Sequence, residues 1–327
     1  MTNHPIDRHR PMRLAFLGSG AFGVPTLTSL ADRHEVVLVL SQPDRPAGRG
    51  GKPTPTPISS LALERGLRLL RVEDVNQSDS CQDIRSTTEG VDALVVIAFG
   101  QKLGEELLKD RFAINLHASL LPRWRGAAPI HAAILAGDAE TGNSVITLAQ
   151  RMDAGLVLGR QRTPILPTDT TGDLHDRLAV MGPELVQDVL SRHLAGTLVG
   201  EPQDQAHVTR ARKLSKADGV PNFGREANVC VRQIHALNPW PTVTVSFRGE
   251  PLKLLRAAVE EDPAKTLEGG EPGTIVDAPR GLVTCANAIA LRLIEVHPAG
   301  KRAMPWADFA RGRTVRDGER LEVPGAP

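Results

Sequence analysis

Short apolar runs alternate with helical patterns through the first half of the chain. Near-continuous apolar runs predict strands at 13–17, 35–40, 67–72 and 92–98, of the kind that a parallel sheet buries on both faces. Further strands are predicted at 112–116, 143–149 and 156–165. Helices are predicted at 23–32, 57–65, 102–109, 127–136 and 171–192. This alternation indicates βαβ units and a doubly wound, mostly parallel α/β sheet.

The pattern changes after residue 195. Residues 196–222 show little hydrophobic periodicity and predict an exposed linker. Beyond it, one helix is predicted at 226–237 and a short one at 305–310. Five β runs lie between them, starting at Val243, Pro251, Gly273, Gly281 and Ala288. Such a series of short strands predicts a small OB-like β-barrel, so the predicted domains are 1–195 and 223–327.

Composition narrows the class of protein. The 327 residues are 41% hydrophobic and 24% charged with a net charge of +1, which excludes disorder as the main state. No apolar run approaches the roughly 20 residues that span a bilayer, and residues 1–11 lack a secretory signal, so we expect a cytoplasmic protein. The scattered Cys81, Cys230 and Cys285 form no CxxC pair, which argues against a disulfide framework or a cysteine zinc site.

A glycine-rich loop follows the first predicted strand. Gly18, Gly20 and Gly23 have the GxGxxG spacing of a dinucleotide-binding turn, which suggests an NAD(P)-dependent oxidoreductase as one alternative. An NAD-binding site needs an acidic residue that binds the ribose at the end of the second strand, where this chain has Ser41. Arg45 could bind the additional phosphate of NADP, so the sequence leaves an NADP-binding site open. We therefore favour a structural turn, and the oxidoreductase stays an alternative.

Asn115 and His117 are the residues with the clearest chemical pattern. They lie two apart where a predicted strand ends, so their side chains share one face, at the carboxyl edge where open α/β sheets build their sites. An amide donor beside an imidazole suits acyl transfer, because one stabilises a developing oxyanion and the other moves a proton. No Ser or Cys occupies a nucleophile elbow, so the substrate would supply the nucleophile. By pattern alone, the pair is equally compatible with turn and capping roles.

The sequence NLHASLLPRWRGAAPI at 115–130, followed by AGDAETGNSVI and MDAG, resembles the methionyl-tRNA formyltransferase family. Other matching segments are QPDRPAGRG at 42–50, KLSKADG at 213–219, NPWP at 238–241 and PAGKRAM at 298–304. Their order and spacing cover nearly the whole chain. The chain departs from the family pattern at 156–160, where two acidic residues are replaced, and at 220–224.

The resemblance implies a Rossmann-like formyltransferase domain followed by an OB-like domain that binds tRNA. It implies transfer of a formyl group from 10-formyltetrahydrofolate to the α-amino group of methionine on initiator tRNA, for translation initiation. This reaction requires no metal, and we expect a monomer. Asn115, His117 and Asp153 match the family's catalytic residues, and Asp153 would orient the imidazole. The implied folate-binding residues are Phe99, Gly100, Ser119, Leu120, Leu121 and Pro122.

Cationic residues define the implied tRNA contacts. The basic loop at 43–57 carries Arg45, Arg49 and Lys52, and the resemblance implies that it reaches into the acceptor stem with Arg45 at its most characteristic position. Further implied contacts are Arg210, Arg212, Lys213, Lys216, Lys301 and Arg302. The net charge is −3 over residues 1–209 and +4 over 210–327, a distribution that supports a tRNA partner.

Two further alternatives stay open from the residues themselves. Asn, His and Asp would serve any amine acceptor, so a formyltransferase that acts on a sugar nucleotide or a ribotide is possible. A tRNA-binding protein without catalysis is the other. The basic loop and the second domain favour tRNA over a small acceptor.

Overall fold

The structure, a computed structural model, describes residues 10–47, 51–260, 271–286 and 289–323. Its helices are α1 Val24–Arg33, α2 Pro57–Glu64, α3 Ser78–Thr87, α4 Glu105–Leu108, α5 Pro129–Ala136, α6 Thr171–Leu194, α7 Ala227–Ala236 and α8 Trp306–Arg313. Its first strands are β1 Arg13–Gly18, β2 Glu35–Ser41, β3 Arg45–Ala47, β4 Lys52–Thr54, β5 Leu69–Arg71, β6 Ala93–Ile97, β7 Ala113–His117, β8 Arg125–Gly126, β9 Glu140–Thr147 and β10 Val157–Pro164. The remaining strands are β11 Arg210–Ala211, β12 Val243–Phe247, β13 Glu250–Val259, β14 Ile275–Asp277, β15 Leu282–Thr284, β16 Ala290–Pro298 and β17 Met304–Pro305.

The chain divides into two compact units. The first comprises Met1–Gly126, Thr141–Thr163 and His175–Arg210. The second comprises Ala127–Glu140, Pro164–Leu174 and Ala211–Pro327. Residues 196–222 were expected to be exposed, but Gln203, Ala211 and Leu214 are buried in them. This stretch is therefore packed at several points and is not a free linker.

A seven-stranded sheet forms the centre of the first unit, in the order β10-β9-β7-β6-β1-β2-β5. Strands β1, β2, β5, β6 and β7 pair in parallel, which confirms the predicted doubly wound α/β fold. Strand β9 is antiparallel to β7, with Asn115 opposite Ile146 and His117 opposite Ser144. Because β6 and β7 are parallel neighbours, the loops that follow them emerge at the same edge of the sheet.

Helix α3 was not predicted from the sequence. Its segment SDSCQDIRST is mostly polar, and only Cys81 and Ile84 are buried. These two side chains lie three residues apart, on one face of the helix, and pack in the same core cluster as Leu17, Leu38 and Leu94. Two apolar positions are enough to dock a helix on a sheet but too few to produce a clear periodic signal.

The second unit contains an antiparallel sheet in the order β12-β13-β16-β15-β14, with β17 paired to β16. The chain then returns along both outer strands, since Glu322 pairs with Ser246 beyond one edge and Arg320 pairs with Thr274 beyond the other. This C-terminal segment curls the sheet around a core that includes Trp306. The predicted OB-like β-barrel is confirmed, and its closing segment was not predicted.

His235 on α7 is a buried titratable group in this second core. Its Nε2 accepts a hydrogen bond from the Ala257 N–H at 3.2 Å, so the neutral ring has a defined structural role. Burial and the nearby Arg256 guanidinium lower the pKa of His235 to about 4, although the Asp173 and Asp169 carboxylates oppose the shift. The folded protein therefore holds this ring neutral at pH values where the unfolded chain protonates it.

We predict that His235 makes the protein less stable in mild acid. Since the folded pKa lies below the unfolded value, its contribution is complete above pH about 6.5 and decreases as the pH falls towards 4. His235→Gln keeps an acceptor for Ala257 but cannot be protonated. Between pH 7 and 4 the parent should lose about 3 kcal/mol more unfolding free energy than this variant, at about 1.4 kcal/mol per pH unit. Urea unfolding measures the difference, and the exposed His207→Gln variant should behave like the parent.

Candidate active site

Asn115 and His117 lie at the carboxyl end of β7, as the sequence predicts. His117 is buried and Asn115 is half-buried. Across the part of the chain that the structure describes, the Asn115 side-chain amide has no hydrogen-bond partner. An amide in this position is available to donate to a bound substrate, because no group in the described ranges competes for it.

The His117 ring lies between two acceptors. Its Nε2 lies 3.0 Å from the Trp124 carbonyl oxygen, so Nε2–H donates to that oxygen and fixes the ring orientation. Its Nδ1 lies 3.8 Å from Asp153 Oδ1, a distance for an ion pair and too long for a hydrogen bond. Nδ1 can therefore carry a proton beside the carboxylate and still donate it elsewhere. The structure brings Asn115, His117 and Asp153 into one site.

Asp153 has an unusual backbone conformation that neighbouring residues hold in place. Its φ angle of 54° is left-handed, and its Oδ2 accepts the Gly126 N–H at 2.8 Å. Gln203 Nε2 donates to the carbonyls of Asp153 and Gly155 at 2.7 and 2.9 Å. Gly155 is required by close packing, because a Cβ there would lie 1.7 Å from the Thr147 carbonyl oxygen. These contacts aim the remaining carboxylate oxygen at His117.

Gln203 and the nearby Thr209 also fix the positions of Trp124 and Arg125. Arg125 Nε donates to Gln203 Oε1 at 3.0 Å, and burial lowers the pKa of Arg125 while Asp153 opposes that effect. Thr209 accepts the backbone N–H of Trp124 through its hydroxyl at 2.9 Å and that of Arg125 through its carbonyl at 3.0 Å. Sequence reasoning missed Gln203 and Thr209, because their partners are largely backbone groups distant in sequence, which leave no motif.

The implied folate-binding residues lie in two loops at one edge of the sheet. Phe99 and Gly100 follow β6, and residues 119–122 follow the adjacent β7. Phe99 is buried, and Gly100 has a φ of 82° with the Gln42 side chain against its Cα. The structure thus places both segments beside the carboxyl end of β7.

Most polar groups of the second loop are already satisfied within the protein. The Ser119 hydroxyl donates to the Arg123 carbonyl at 2.6 Å, and its own carbonyl accepts from Ser144 at 2.7 Å. Leu121 donates its N–H to Ser144 and accepts from Arg160 Nε, both at 3.1 Å. A ligand at this loop would therefore meet chiefly the half-buried apolar side chains of Leu120 and Pro122, which suit a flat ring.

The glycine-rich loop has the geometry of a structural turn. The N–H groups of Ser19 and Gly20 both donate to the Ala98 carbonyl at 3.2 Å, so they are not free for a pyrophosphate. A Cβ on Gly18 would lie 2.8 Å from the Ile97 carbonyl oxygen. The glycines let the turn pack against the end of β6, which favours the structural interpretation over a nicotinamide site.

The predicted tRNA-binding residues are exposed wherever the structure describes them. Arg45 begins the β3–β4 hairpin, is 65% exposed and pairs with Glu73 at 3.3 Å. Lys52 is exposed on the same hairpin, and Arg49 lies outside the described residues. The other exposed cations are Arg210, Arg212, Lys213, Lys216, Lys301 and Arg302. Exposed ion pairs contribute at most about 1 kcal/mol, so phosphates can replace the acidic partners at little cost.

Comparison with known proteins gives the family. The formyl transferase family model matches residues 12–190, and the model of the formyl transferase C-terminal domain matches 213–314. The methionyl-tRNA formyltransferase of Methylococcus capsulatus is 41% identical over 95% of this chain and 99% of its own length. That of Acidiphilium cryptum is 44% identical over 95% and 100%. The chain belongs to the methionyl-tRNA formyltransferase family.

Solved structures support the fold of this methionyl-tRNA formyltransferase family member. An N-formyltransferase from Helicobacter canadensis, in complex with folinic acid and dTDP-3-aminofucose, matches with a TM-score of 0.64 at 15% identity, over 86% of this chain and 98% of its own. HypX from Aquifex aeolicus in complex with tetrahydrofolic acid matches with a TM-score of 0.61 at 16% identity, over 93% and 48%. In the described ranges no group of three His, Cys, Asp or Glu side chains is placed to hold a metal, and no helix is long and apolar enough to span a membrane.

We predict that Gln203 stabilises the Asp153 loop. Gln203→Met keeps the side-chain length but removes the two hydrogen bonds to the loop carbonyls and the one from Arg125. The free energy of unfolding should fall by about 1–3 kcal/mol, because buried acceptors lose their donors. Chemical denaturation measures the change, with the exposed Gln82→Met on α3 as the control. Equal stability of both variants would contradict the role.

Proposed function

We propose that this chain transfers the formyl group of 10-formyltetrahydrofolate to the α-amino group of methionine on initiator methionyl-tRNA, for translation initiation. Identity of 41% over both domains to a methionyl-tRNA formyltransferase supports this reaction and its substrates. The observation that carries the chemistry is the placement of His117 between the Trp124 carbonyl and Asp153, beside the Asn115 amide, which has no hydrogen-bond partner among the described residues. This arrangement suits acyl transfer to an amine that the substrate supplies.

In this reaction the neutral amine attacks the formyl carbon and a new C–N bond forms. The electron pair of the C=O bond moves to the formyl oxygen, then returns as the bond from carbon to N10 of the folate breaks. The proton that the amine loses is transferred to N10, so no oxidant, metal or covalent enzyme intermediate is needed. Catalysis requires a donor for the oxygen and a route for the proton.

Each member of the site has one of these tasks. The Asn115 amide donates to the formyl oxygen as negative charge develops on it. His117, with Nε2–H fixed on the Trp124 carbonyl, uses Nδ1 to donate to the reacting atoms. Asp153 stabilises the positive charge of the doubly protonated ring from 3.8 Å and can accept the amine's proton through a water molecule.

Two loops next to these residues form a suitable surface for the folate. We assign Phe99, Gly100 and residues 119–122 to the donor site, because both loops follow strands that end next to Asn115 and His117. Their polar groups are mostly engaged, so binding would rely on apolar contact and the few remaining backbone groups. At 156–160, where the chain departs from the family pattern, Val157 and Leu158 are buried in β10 and Arg160 binds the Leu121 carbonyl.

We assign the tRNA to the exposed cations of both units. Arg45 and Lys52 on the β3–β4 hairpin, together with Arg49, would contact the acceptor stem. The cations after residue 209 would bind backbone phosphates, consistent with the excess of positive charge in that part of the chain. We place the reaction in the cytoplasm and expect a monomer, with 1–195 as the catalytic domain, 196–222 as the connection and 223–327 as the tRNA-binding domain.

The direct test is a formyl-transfer assay with 10-formyltetrahydrofolate and charged initiator tRNA, run beside elongator methionyl-tRNA and an amino sugar nucleotide. Formylmethionyl-tRNA should form with the initiator. Product from the amino sugar alone would identify a small-acceptor enzyme, and no product with any acceptor would overturn the proposal.

Asn115→Ala should lower kcat by about 100- to 1000-fold, the usual effect of removing one oxyanion donor. The KM for folate and tRNA should change little, since the interaction forms chiefly in the transition state. Initial-rate formylation measures both constants. The exposed Asn228→Ala on α7 is the matched control and should react like the parent. Full activity of Asn115→Ala would remove this residue from the mechanism.

Arg45→Met should lower kcat/KM for initiator tRNA by about 10-fold or more, because a guanidinium contact to phosphate or base is lost. The KM for 10-formyltetrahydrofolate should stay at the parent value. Arg33→Met, at an exposed arginine of α1, controls for loss of one positive charge. An equal effect on tRNA and folate would show that Arg45 acts through the fold and not through the tRNA.

A further inference from the structure

Trp240 is an exposed aromatic residue in the second unit that the catalytic site does not use. Its side chain is 49% exposed, whereas Trp306 in the same unit is 2% exposed and packs in the core. Among the residues that the structure describes, no aromatic ring or cation stacks on the Trp240 indole. Trp is a residue type enriched at binding interfaces, because its ring offers a large flat contact area and its indole N–H a hydrogen-bond donor.

Hydrogen bonds on both sides of Trp240 fix the backbone around it. The Asn238 carbonyl accepts the Gly172 N–H at 3.2 Å, and its side chain donates to the Leu255 carbonyl at 2.9 Å. On the other side, the buried Thr242 donates its hydroxyl to the Pro239 carbonyl at 2.7 Å. The ring is therefore presented from a fixed segment, so a flat ligand can stack on it without the cost of ordering a loop.

A cationic segment packs against this one. Gly219 lies so close to Thr242 that a Cβ would be 2.5 Å from the Thr242 carbonyl oxygen. The segment is fixed to α7 as well, since Gln233 donates to the Asp218 and Val220 carbonyls at 3.1 and 2.9 Å. Gly219, which ends the short helical turn that begins at Lys216, thus lies against Pro241 and Thr242, the two residues that follow Trp240.

Two lysines of this segment have no acidic partner in the part of the chain that the structure describes. Arg212 pairs with Asp218, but Lys213 and Lys216 are exposed and form no ion pair with any described residue. An exposed aromatic ring close to a segment that carries exposed lysines is a combination that binds a base and its flanking phosphates in single-stranded nucleic acid. A neutral apolar partner would gain nothing from the lysines.

We propose that Trp240 is a stacking platform for an unpaired nucleobase of RNA, with Lys213 and Lys216 binding the adjacent phosphates. The identity of that RNA as the tRNA substrate rests on the proposed function, but the platform itself does not. Stacking tolerates any base, because every base has a π-face. Trp240 would therefore add affinity for an unpaired stretch of the tRNA and would not read its sequence.

The first experiment titrates the full chain with hexa-adenylate and with a blunt RNA duplex of equal charge, while tryptophan emission is recorded. The single strand should quench the parent and leave a Trp240→Phe variant unchanged in tryptophan emission. The duplex should quench neither, because its bases are already stacked. Equal quenching by both RNAs, or none by the single strand, would overturn the platform.

The second experiment measures formylation and tRNA affinity of two variants. Trp240→Leu should weaken initiator tRNA binding about 10-fold and raise its KM, while kcat and the folate KM stay unchanged. Trp240→Phe should retain affinity within about threefold, since it keeps an aromatic face, and exposed Leu63→Ala serves as the control. Thermal melting confirms that the variants are folded.

The outcomes separate the two proposals. Parent-like tRNA binding by Trp240→Leu, with normal formyl transfer by the parent, would refute the platform and leave the proposed function intact. Absence of formyl transfer by the parent, with quenching by hexa-adenylate, would refute the enzyme and keep the platform. Conversion of both lysines to methionine should reduce the salt dependence of hexa-adenylate binding, and an unchanged dependence would remove them from the site.

Discussion

Asp153 occupies a left-handed backbone conformation, which costs an aspartate about 1 kcal/mol or more and needs support from its surroundings. The support comes from the Gly126 N–H, which binds one carboxylate oxygen, and from Gln203, which donates to two carbonyls of the loop. Because Oδ2 is engaged by Gly126, Oδ1 is the oxygen that faces His117. The geometry of the site thus depends on residues that take no part in the chemistry.

The contacts of the two ring nitrogens of His117 determine what the imidazole can do. The Trp124 carbonyl, and not the carboxylate, makes the hydrogen bond that orients His117, so Asp153 acts through its charge. A direct hydrogen bond to Asp153 would occupy Nδ1, whereas the separation of 3.8 Å leaves that nitrogen available, as the proposed mechanism requires. The Asn115 amide is likewise available, since none of the described residues forms a hydrogen bond with it. Unsatisfied donors in a half-buried site are costly in the free protein and useful only when a substrate completes them.

Sequence patterns predicted the parts of the molecule in which apolar spacing determines the structure. The parallel strands, the five β runs and the strand-end position of Asn115 and His117 were all evident from periodicity, whereas the role of Asp153 was implied only by the family resemblance. Helix α3 was missed because only Cys81 and Ile84 are buried. Gln203 was missed because a side chain that binds backbone carbonyls 50 residues away leaves no trace in local pattern. Pairing that depends on distant backbone, such as the closing segment at 320–322, has the same difficulty.

Individual exposed cations say more about the affinity of this protein for nucleic acid than its net charge does. A net charge of +1 would suggest no affinity for nucleic acid, but exposed cations among the described residues include weakly paired arginines and lysines without an ion pair. In the surface pairs of Arg45 with Glu73 and of Arg212 with Asp218, a phosphate can replace the carboxylate. Lys213 and Lys216 form no ion pair with a described residue, so a phosphate would displace nothing there. Each phosphate that binds releases counterions, so a few such positions supply affinity that overall charge does not reveal. In the proposed function, contacts of this kind would hold the tRNA at separate points, and the geometry around His117 would govern whether its amine reacts.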